Sequence, residues 1–243
     1  MILLGVNVDH VATVRNARGG RYPDPVFAGL QAELAGADFI RMHLTADKRH
    51  IQYDDAERFA ASAQTRLALE FALDEEIRDF ALRVRPADVC LVPEDVAHRD
   101  TLGGFDVLGY QDVLTDFLAP LQEAGIRDTL LVSPDRAQIE AAARVGSAGI
   151  ELNARSYAAA KDAASRSAEL AKIMSACDFA YSLGLSIAVG RGLQYDNVQG
   201  IAEIHTIEQL TIGHAIIARA LYFGLPEAVA EMKHRLAEAR HRR

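Results

Sequence analysis

Asn7, Asp9 and His10 follow closely on one another after a short apolar run, and a guanidinium stands further on at Arg18. An amide, a carboxylate and an imidazole at such spacing can bind a polar substrate and move protons, because imidazole titrates near neutrality and burial can tune a carboxylate toward it. The same arrangement, an apolar run with chemistry at its end, recurs along the chain. His43 closes a second run, Glu70 nearly closes a third, and Glu151 with Asn153 ends a later one. Arg191 and Gly192 follow the next, and Gly213 with His214 follows the last. His43 and Glu70 form a proton-transfer pair if their runs are neighbours, with the carboxylate shifted upward by burial. Gly192 and Gly213 let the main chain approach an oxyanion, and His214 opens a helical stretch whose N-terminus favours negative charge. A small phosphorylated substrate is the expected ligand. Arg18, or its neighbours Arg15 and Arg21, offers a cation for a second anion. Each group taken alone is as readily an ordinary polar strand end or tight turn, so the recurrence carries the reading.

Eight apolar runs of strand length, at 2–8, 38–43, 66–71, 88–92, 129–132, 149–152, 186–189 and 209–212, alternate with segments of helical periodicity. The helical segments lie near 26–35, 54–64, 74–84, 107–123, 135–145, 165–183, 198–204, 214–223 and 226–240, and several begin at an acidic or hydroxyl residue suited to an N-cap. Strand–helix alternation predicts a parallel sheet, and eight units in about 250 residues is the size of a (β/α)8 TIM barrel with extra helices. An open doubly wound sheet is the competing fold, but no GxGxxG follows the first strand. With no linker or shift in composition, residues 1–243 are expected to form a single barrel domain. In such a barrel the C-terminal ends of the strands share one mouth, which is where the candidate residues collect. Gly36, Gly125, Gly146 and Gly184 close helices in left-handed caps and are punctuation between elements. The stretch after the first strand, from Asp9 onward, is read as a polar loop. Two longer connections, 93–106 and 153–165, are read either as lids over the mouth or as surface excursions.

The 243 residues are half hydrophobic and a quarter charged, enough for a large core. A net charge of −8 speaks against general nucleic-acid binding. No apolar run approaches membrane-spanning length, and no leader opens the chain, so neither nucleic acid nor membrane is an expected partner. Cys90 and Cys177 sit in apolar surroundings outside any CxxC pair, which suits a reducing cytoplasm. His43 and His50 are spaced imidazoles, but no acidic partner stands at ligand spacing, so no metal is expected. No lysine closes a strand, which argues against a Schiff base.

These residues resemble the pyridoxine 5′-phosphate synthase family over nearly the whole chain. The matching segments are the run from Gly5 to Gly19, Tyr22-Pro23-Asp24-Pro25, Arg49-His50-Ile51, Leu91-Val92-Pro93-Glu94 and Ile212-Gly213-His214-Ala215-Ile216-Ile217. The resemblance implies a barrel that needs no cofactor and assembles as a homo-oligomer, usually an octamer. It implies a condensing transferase joining 1-deoxy-D-xylulose 5-phosphate to 3-amino-2-oxopropyl phosphate, giving pyridoxine 5′-phosphate with loss of inorganic phosphate and water, in vitamin B6 biosynthesis. On that resemblance His43 and Glu70 are the acid/base residues and Glu151 stabilises the transition state. Asn7, Asp9, His10, Arg18, His50 and Thr101 line the substrate sites, and Gly192, Gly213 and His214 bind anions.

The chain departs from the family pattern at the mouth. The family's Asn-Ala-Gly-His-Gly after strand seven is Ala188-Val189-Gly190-Arg191-Gly192 here, and an arginine cannot shuttle a proton. Thr45 replaces an arginine, Ala68 an asparagine, Asn153 a histidine and Asp100 a threonine, although Thr101 is adjacent. Arg41 shares a strand face with His43, and if it points into the barrel it needs a carboxylate, with Glu70 or Glu151 the candidates. Three functions follow: a working synthase with Arg191 at the catalytic turn, a remodelled paralogue acting on another phosphorylated carbonyl compound, or a non-catalytic binder of a phosphorylated metabolite.

Overall fold

The structure, a computed structural model, describes residues 1–93 and 103–241. Eight parallel strands close into a barrel in sequence order: β1 (Leu3–Asn7), β2 (Phe39–His43), β3 (Arg66–Phe71), β4 (Asp88–Leu91), β5 (Arg127–Val132), β6 (Gly149–Asn153), β7 (Ser186–Gly190) and β8 (Gln209–Ile212). Nearly every strand residue is buried, as expected where helices cover the outer face and side chains fill the inner one. The helices are α1 (Asp9–Arg18), α2 (Pro25–Leu34), α3 (Tyr53–Ser62), α4 (Glu75–Val84), α5 (Gln111–Glu123), α6 (Arg136–Arg144), α7 (Arg155–Ala158), α8 (Ala163–Ser182), α9 (Val198–Ala202), α10 (His214–Phe223) and α11 (Leu225–His241).

Local chemistry sets the helix ends. Asp24 caps α2 by accepting the Val26 N–H, with Pro25 in the first turn, and Asp74, Asp135 and Asp162 cap α4, α6 and α8 in the same way. Gly36, Gly125, Gly146 and Gly184 all take positive φ where a helix gives way to the next strand.

Two stretches read as loops are helical. Residues 9–18 form α1, although their charge and mean polarity gave no apolar stripe to read; the helix has no side-chain N-cap and ends on Gly19 at φ 70°. The connection after β6 contains the single turn α7, pinned by buried Tyr157, whose hydroxyl donates to the Asn197 carbonyl at 2.7 Å. Most of the other long connection, with Asp100 and Thr101, lies outside the described residues.

The register fixes what meets at the mouth. His43 of β2 lies beside Glu70 of β3, Arg41 lies between Asn7 of β1 and Ala68 of β3, and Glu151 of β6 lies beside Ala188 of β7. Directly paired residues share a face, so these side chains point into the barrel together.

Candidate active site

At the end of β1 the chain turns at Val8 into α1, and this turn holds Asp9 rigidly. The Asn7 carboxamide brackets it, accepting the Asp9 N–H at 3.0 Å and donating to Asp9 Oδ2 at 2.6 Å. The backbone N–H of His43 donates to Asp9 Oδ1 at 2.9 Å, so β1 and β2 are tied through this one carboxylate. Burial pushes the Asp9 carboxyl up to about 7, with the Glu70 anion adding to the shift and the donated hydrogen bonds opposing it. Gly213 lies against Asn7: a Cβ there would stand 3.0 Å from the Asn7 Cβ and Oδ1, so a side chain at this turn would make Asn7 give by a few tenths of an ångström.

Beneath this turn lies a buried network of four charges. Arg41 points into the barrel, only 2% exposed, with Nη1 on Glu151 Oε2 and 3.4 Å from Glu70 Oε2. Arg191 Nη2 lies 2.5 Å from the other oxygen, Glu70 Oε1, and Thr211 Oγ1 reaches Glu151 Oε2 at 3.4 Å. Burial alone would raise Glu70, but the guanidinium of Arg191, His43 and Arg41 outweigh it and pull it down to about 2. The upward shift expected from sequence therefore does not occur, because two permanent cations reach the carboxylate. The same attraction holds both guanidinium pKa values above the ordinary arginine range despite burial.

Three of the sequence departures, Ala68, Ala188 and Arg191, meet at this network. Ala68 flanks Arg41 on the inner face, and Ala188 flanks Glu151; both are 1% exposed. Where the related pattern carries asparagine at each position, this chain has only a methyl group beside the charged network. Arg191 itself sits at φ 74° and Gly192 at φ 74°, a left-handed pair that swings the arginine back over Glu70.

His43 stands between two carboxylates. Its Nδ1 lies 3.5 Å from Glu70 Oε1, which favours the proton on that nitrogen and leaves Nε2 as the basic lone pair. Burial lowers its pKa, Glu70 opposes this, and Arg191, Arg49 and Arg41 push it further down. His50, 5.3 Å away ring to ring, is also depressed, to about 4, first by burial and then by His43 and Arg49. One ligand atom each from Asp9, His43 and His50 falls within 4.8 Å of the others. The acidic partner that sequence spacing did not show thus comes from the end of β1. His50 Nδ1 accepts the Ile51 N–H at 3.0 Å, so neutral His50 carries its proton on Nε2 and has no second lone pair for a cation. The three are better suited to passing protons than to a complete metal-ligand set.

A cavity of about 800 Å³ opens above these groups. It brings together Asn7, Asp9, His10, His43, His50, Glu70, Glu151, Arg191, Gly192, Gly213 and His214, while the strand-end Asn153 is not among its lining residues. Arg18, the exposed last residue of α1, is not on the cavity wall, and Thr101 lies outside the described residues. Arg15 is not available to an anion either, since Asp55 takes its guanidinium at 2.6 and 2.9 Å. At the N-terminus of α10, His214 Nδ1 lies 3.3 Å from His10 Nε2, so two imidazoles flank the backbone of Gly213. Sequence reasoning missed Arg49 and Thr211 on the wall. Arg49 stands next to His50 in a segment already singled out, and Thr211 is two residues before Gly213 on the inward face, so strand alternation could have found it.

The chain matches the family described as pyridoxal phosphate biosynthesis protein PdxJ over residues 4–238. It is 48% identical, over 98% of its length and 99% of the relative's, to a pyridoxine 5′-phosphate synthase of Neisseria meningitidis serogroup A. Among solved structures it is similar to thiamine phosphate pyrophosphorylase from Pyrococcus furiosus (TM-score 0.63, 13% identity, covering 98% of this chain and 97% of that one). It is likewise similar to phosphoribosylanthranilate isomerase from Thermotoga maritima (TM-score 0.61, 14% identity, 98% and 100% covered). At such identities these two speak for the barrel alone. The match along nearly the whole chain places this protein in the pyridoxal phosphate biosynthesis PdxJ family, with its function in making vitamin B6.

Proposed function

We propose that the chain is a pyridoxine 5′-phosphate synthase that condenses 1-deoxy-D-xylulose 5-phosphate with 3-amino-2-oxopropyl phosphate, without a cofactor, losing inorganic phosphate and water. The observation that carries this reading is His43, held between Asp9 and Glu70 in a cavity that the N-terminus of α10 also lines. A phosphate at Gly213 and His214 receives backbone N–H groups and a favourable helix dipole, and Arg49 supplies a fixed cation nearby. His43 Nε2 is the base, and Glu70 orients it through Nδ1. Glu151, anchored by Arg41, presents negative charge to cationic intermediates formed from the amine. Arg191 keeps Glu70 ionised and places positive charge where a phosphate departs, while His10 is available for proton transfer. The enzyme works as a homo-oligomer in the cytoplasm, a reading supported by exposed apolar side chains on α10 and by two free cysteines.

The test is turnover of both substrates by purified protein, with product followed by its fluorescence; folded protein inactive at high enzyme concentration overturns the reading. A second reading, a different phosphorylated carbonyl substrate, draws on the Arg191–Glu70 contact. Arg191→His separates the two. If this chain is a tuned synthase, the substitution removes a built partner of Glu70 and lowers kcat by about 10-fold or more. If the arginine serves another substrate, the substitution raises synthase activity by a similar factor.

A further inference from the structure

We propose that Asp9, rather than Glu70, is the carboxylate that carries protons at this site, working as a pair with His43. This rests on the proposed condensation, which includes loss of water.

The argument is one of occupancy. Both oxygens of Glu70 face permanent cations, Arg191 at 2.5 Å on Oε1 and Arg41 at 3.4 Å on Oε2, and protonating a carboxylate so held sacrifices both ion pairs. Asp9 is different. Its partners are neutral, the His43 N–H on Oδ1 and the Asn7 carboxamide on Oδ2, and among the described residues no guanidinium hydrogen-bonds to it. Each oxygen keeps a lone pair, and the side chain lines the cavity. An oxygen of Asp9 and a ring nitrogen of His43 fall within 4.8 Å, a span that one water or one substrate hydroxyl bridges. The titratable and charged groups around Asp9 are His43 on β2, His50 beyond it, Glu70 on β3 and Arg191 after β7. Burial and Glu70 favour the protonated carboxyl, Arg191 opposes them, and the balance lies near neutrality, at about 7.

The pair resets itself. In the elimination of water, neutral His43 takes a proton at Nε2 from the substrate carbon, and the C–H electron pair forms the new double bond. The neighbouring C–O bond breaks with its electrons on oxygen, and the Asp9 carboxyl gives that oxygen its proton, so water leaves. His43 is then an imidazolium and Asp9 a carboxylate. The proton returns from Nε2 to Asp9, because burial depresses the imidazole while it raises the carboxyl. No proton is gained or lost by the enzyme over the step, and Glu70 stays ionised throughout as the group that positions His43.

The experiment is the pH profile of kcat with both phosphorylated substrates for the wild type, Asp9→Asn and Glu70→Gln. The active form has Asp9 protonated, so wild-type kcat is expected to fall as pH rises through about 7. Asp9→Asn is expected to cut kcat by about 100-fold or more with KM within about 3-fold, and to abolish that limb. Glu70→Gln is expected to lower kcat by about 10-fold and to retain the limb. A limb that vanishes in Glu70→Gln, or survives in Asp9→Asn, overturns the proposal. Infrared spectra of the wild type give an arm independent of any variant's folding and of turnover. A protonated-carboxyl band that persists at about pH 6, where ordinary carboxylates are ionised, and is lost near pH 7 supports the proposal, and a wild type with no such band at about pH 6 overturns it. A wild type that turns over neither substrate defeats the proposed function, and the infrared result still decides the state of Asp9.

Discussion

Arg41 and Glu151 decide how much the remodelled floor of the barrel contributes to stability. Two charges removed from water are costly, and their attraction offsets that cost only while each keeps its partner. Arg41 is 2% exposed and Glu151 1%, so neither can turn to solvent when the other is lost. Glu151→Leu leaves Arg41 with only the longer contact to Glu70 and is expected to cost about 3–5 kcal/mol. Arg41→Met combined with Glu151→Leu removes both charges together and is expected to cost less than the single substitution. Urea unfolding of the two single variants and the double would measure the coupling. Additive losses would mean that the two groups do not stabilise each other. Glu70 keeps its Arg191 partner in all three variants, so the cycle isolates one pair of the network.

At the scale of elements, α1 matters more than its polar sequence suggests, because it straps down the segment that carries His50. Arg15 forks onto Asp55 at 2.6 and 2.9 Å and also donates to the His50 carbonyl at 3.0 Å, while the Asn16 carboxamide donates to the carbonyls of Arg49 and His50. Asp55 also receives the Gln52 N–H at 2.8 Å at the start of α3. Asp55→Asn breaks the fork and leaves a buried guanidinium half-satisfied. The expected outcome is about 2–3 kcal/mol of lost stability and a KM raised several-fold with little change in kcat, since His43 is held by Asp9 and Glu70 and not from the His50 segment. Steady-state kinetics beside urea titration would check it, and an unchanged KM would show that the strap has no part in binding. The strands were legible in sequence because buried parallel strands are near-continuous apolar runs, and the mouth was legible because polar residues ended those runs. The helix α1 was not legible, since it packs through Ala12 and the stem of Arg15 and its stability comes from tertiary partners that lie about 40 residues away in sequence. The protonation of Glu70 was misjudged for the same reason: Arg191 is 121 residues away from it along the chain, and sequence order says nothing of a contact across a closed barrel. Arg41 was found because strand alternation is local, and its inward direction follows from the position of His43.

At the scale of the whole molecule, the outer surface is not uniformly polar. Helix α10 buries only Ile216 of its ten residues, and its last turn presents Leu221, Tyr222 and Phe223 at 77%, 84% and 58% exposure. Its neighbour α1 adds Val14, and α2, beside α1, adds Phe27, both exposed. If the proposed homo-oligomer forms through these helices, burial of the apolar side chains must outweigh the repulsion between copies that each carry a net charge of −8. The row lies at the end of α10 opposite Gly213, the turn proposed to bind phosphate, so association there would steady the helix from its far end. Leu221→Glu with Tyr222→Glu is expected to lower the sedimenting mass toward that of the 26.4 kDa chain while leaving the helical circular-dichroism signal intact. Affinity for inorganic phosphate would fall with it if assembly orders α10. A wild type that already sediments as a single chain would remove this explanation, and the exposed row on α10 would then need a partner of another kind.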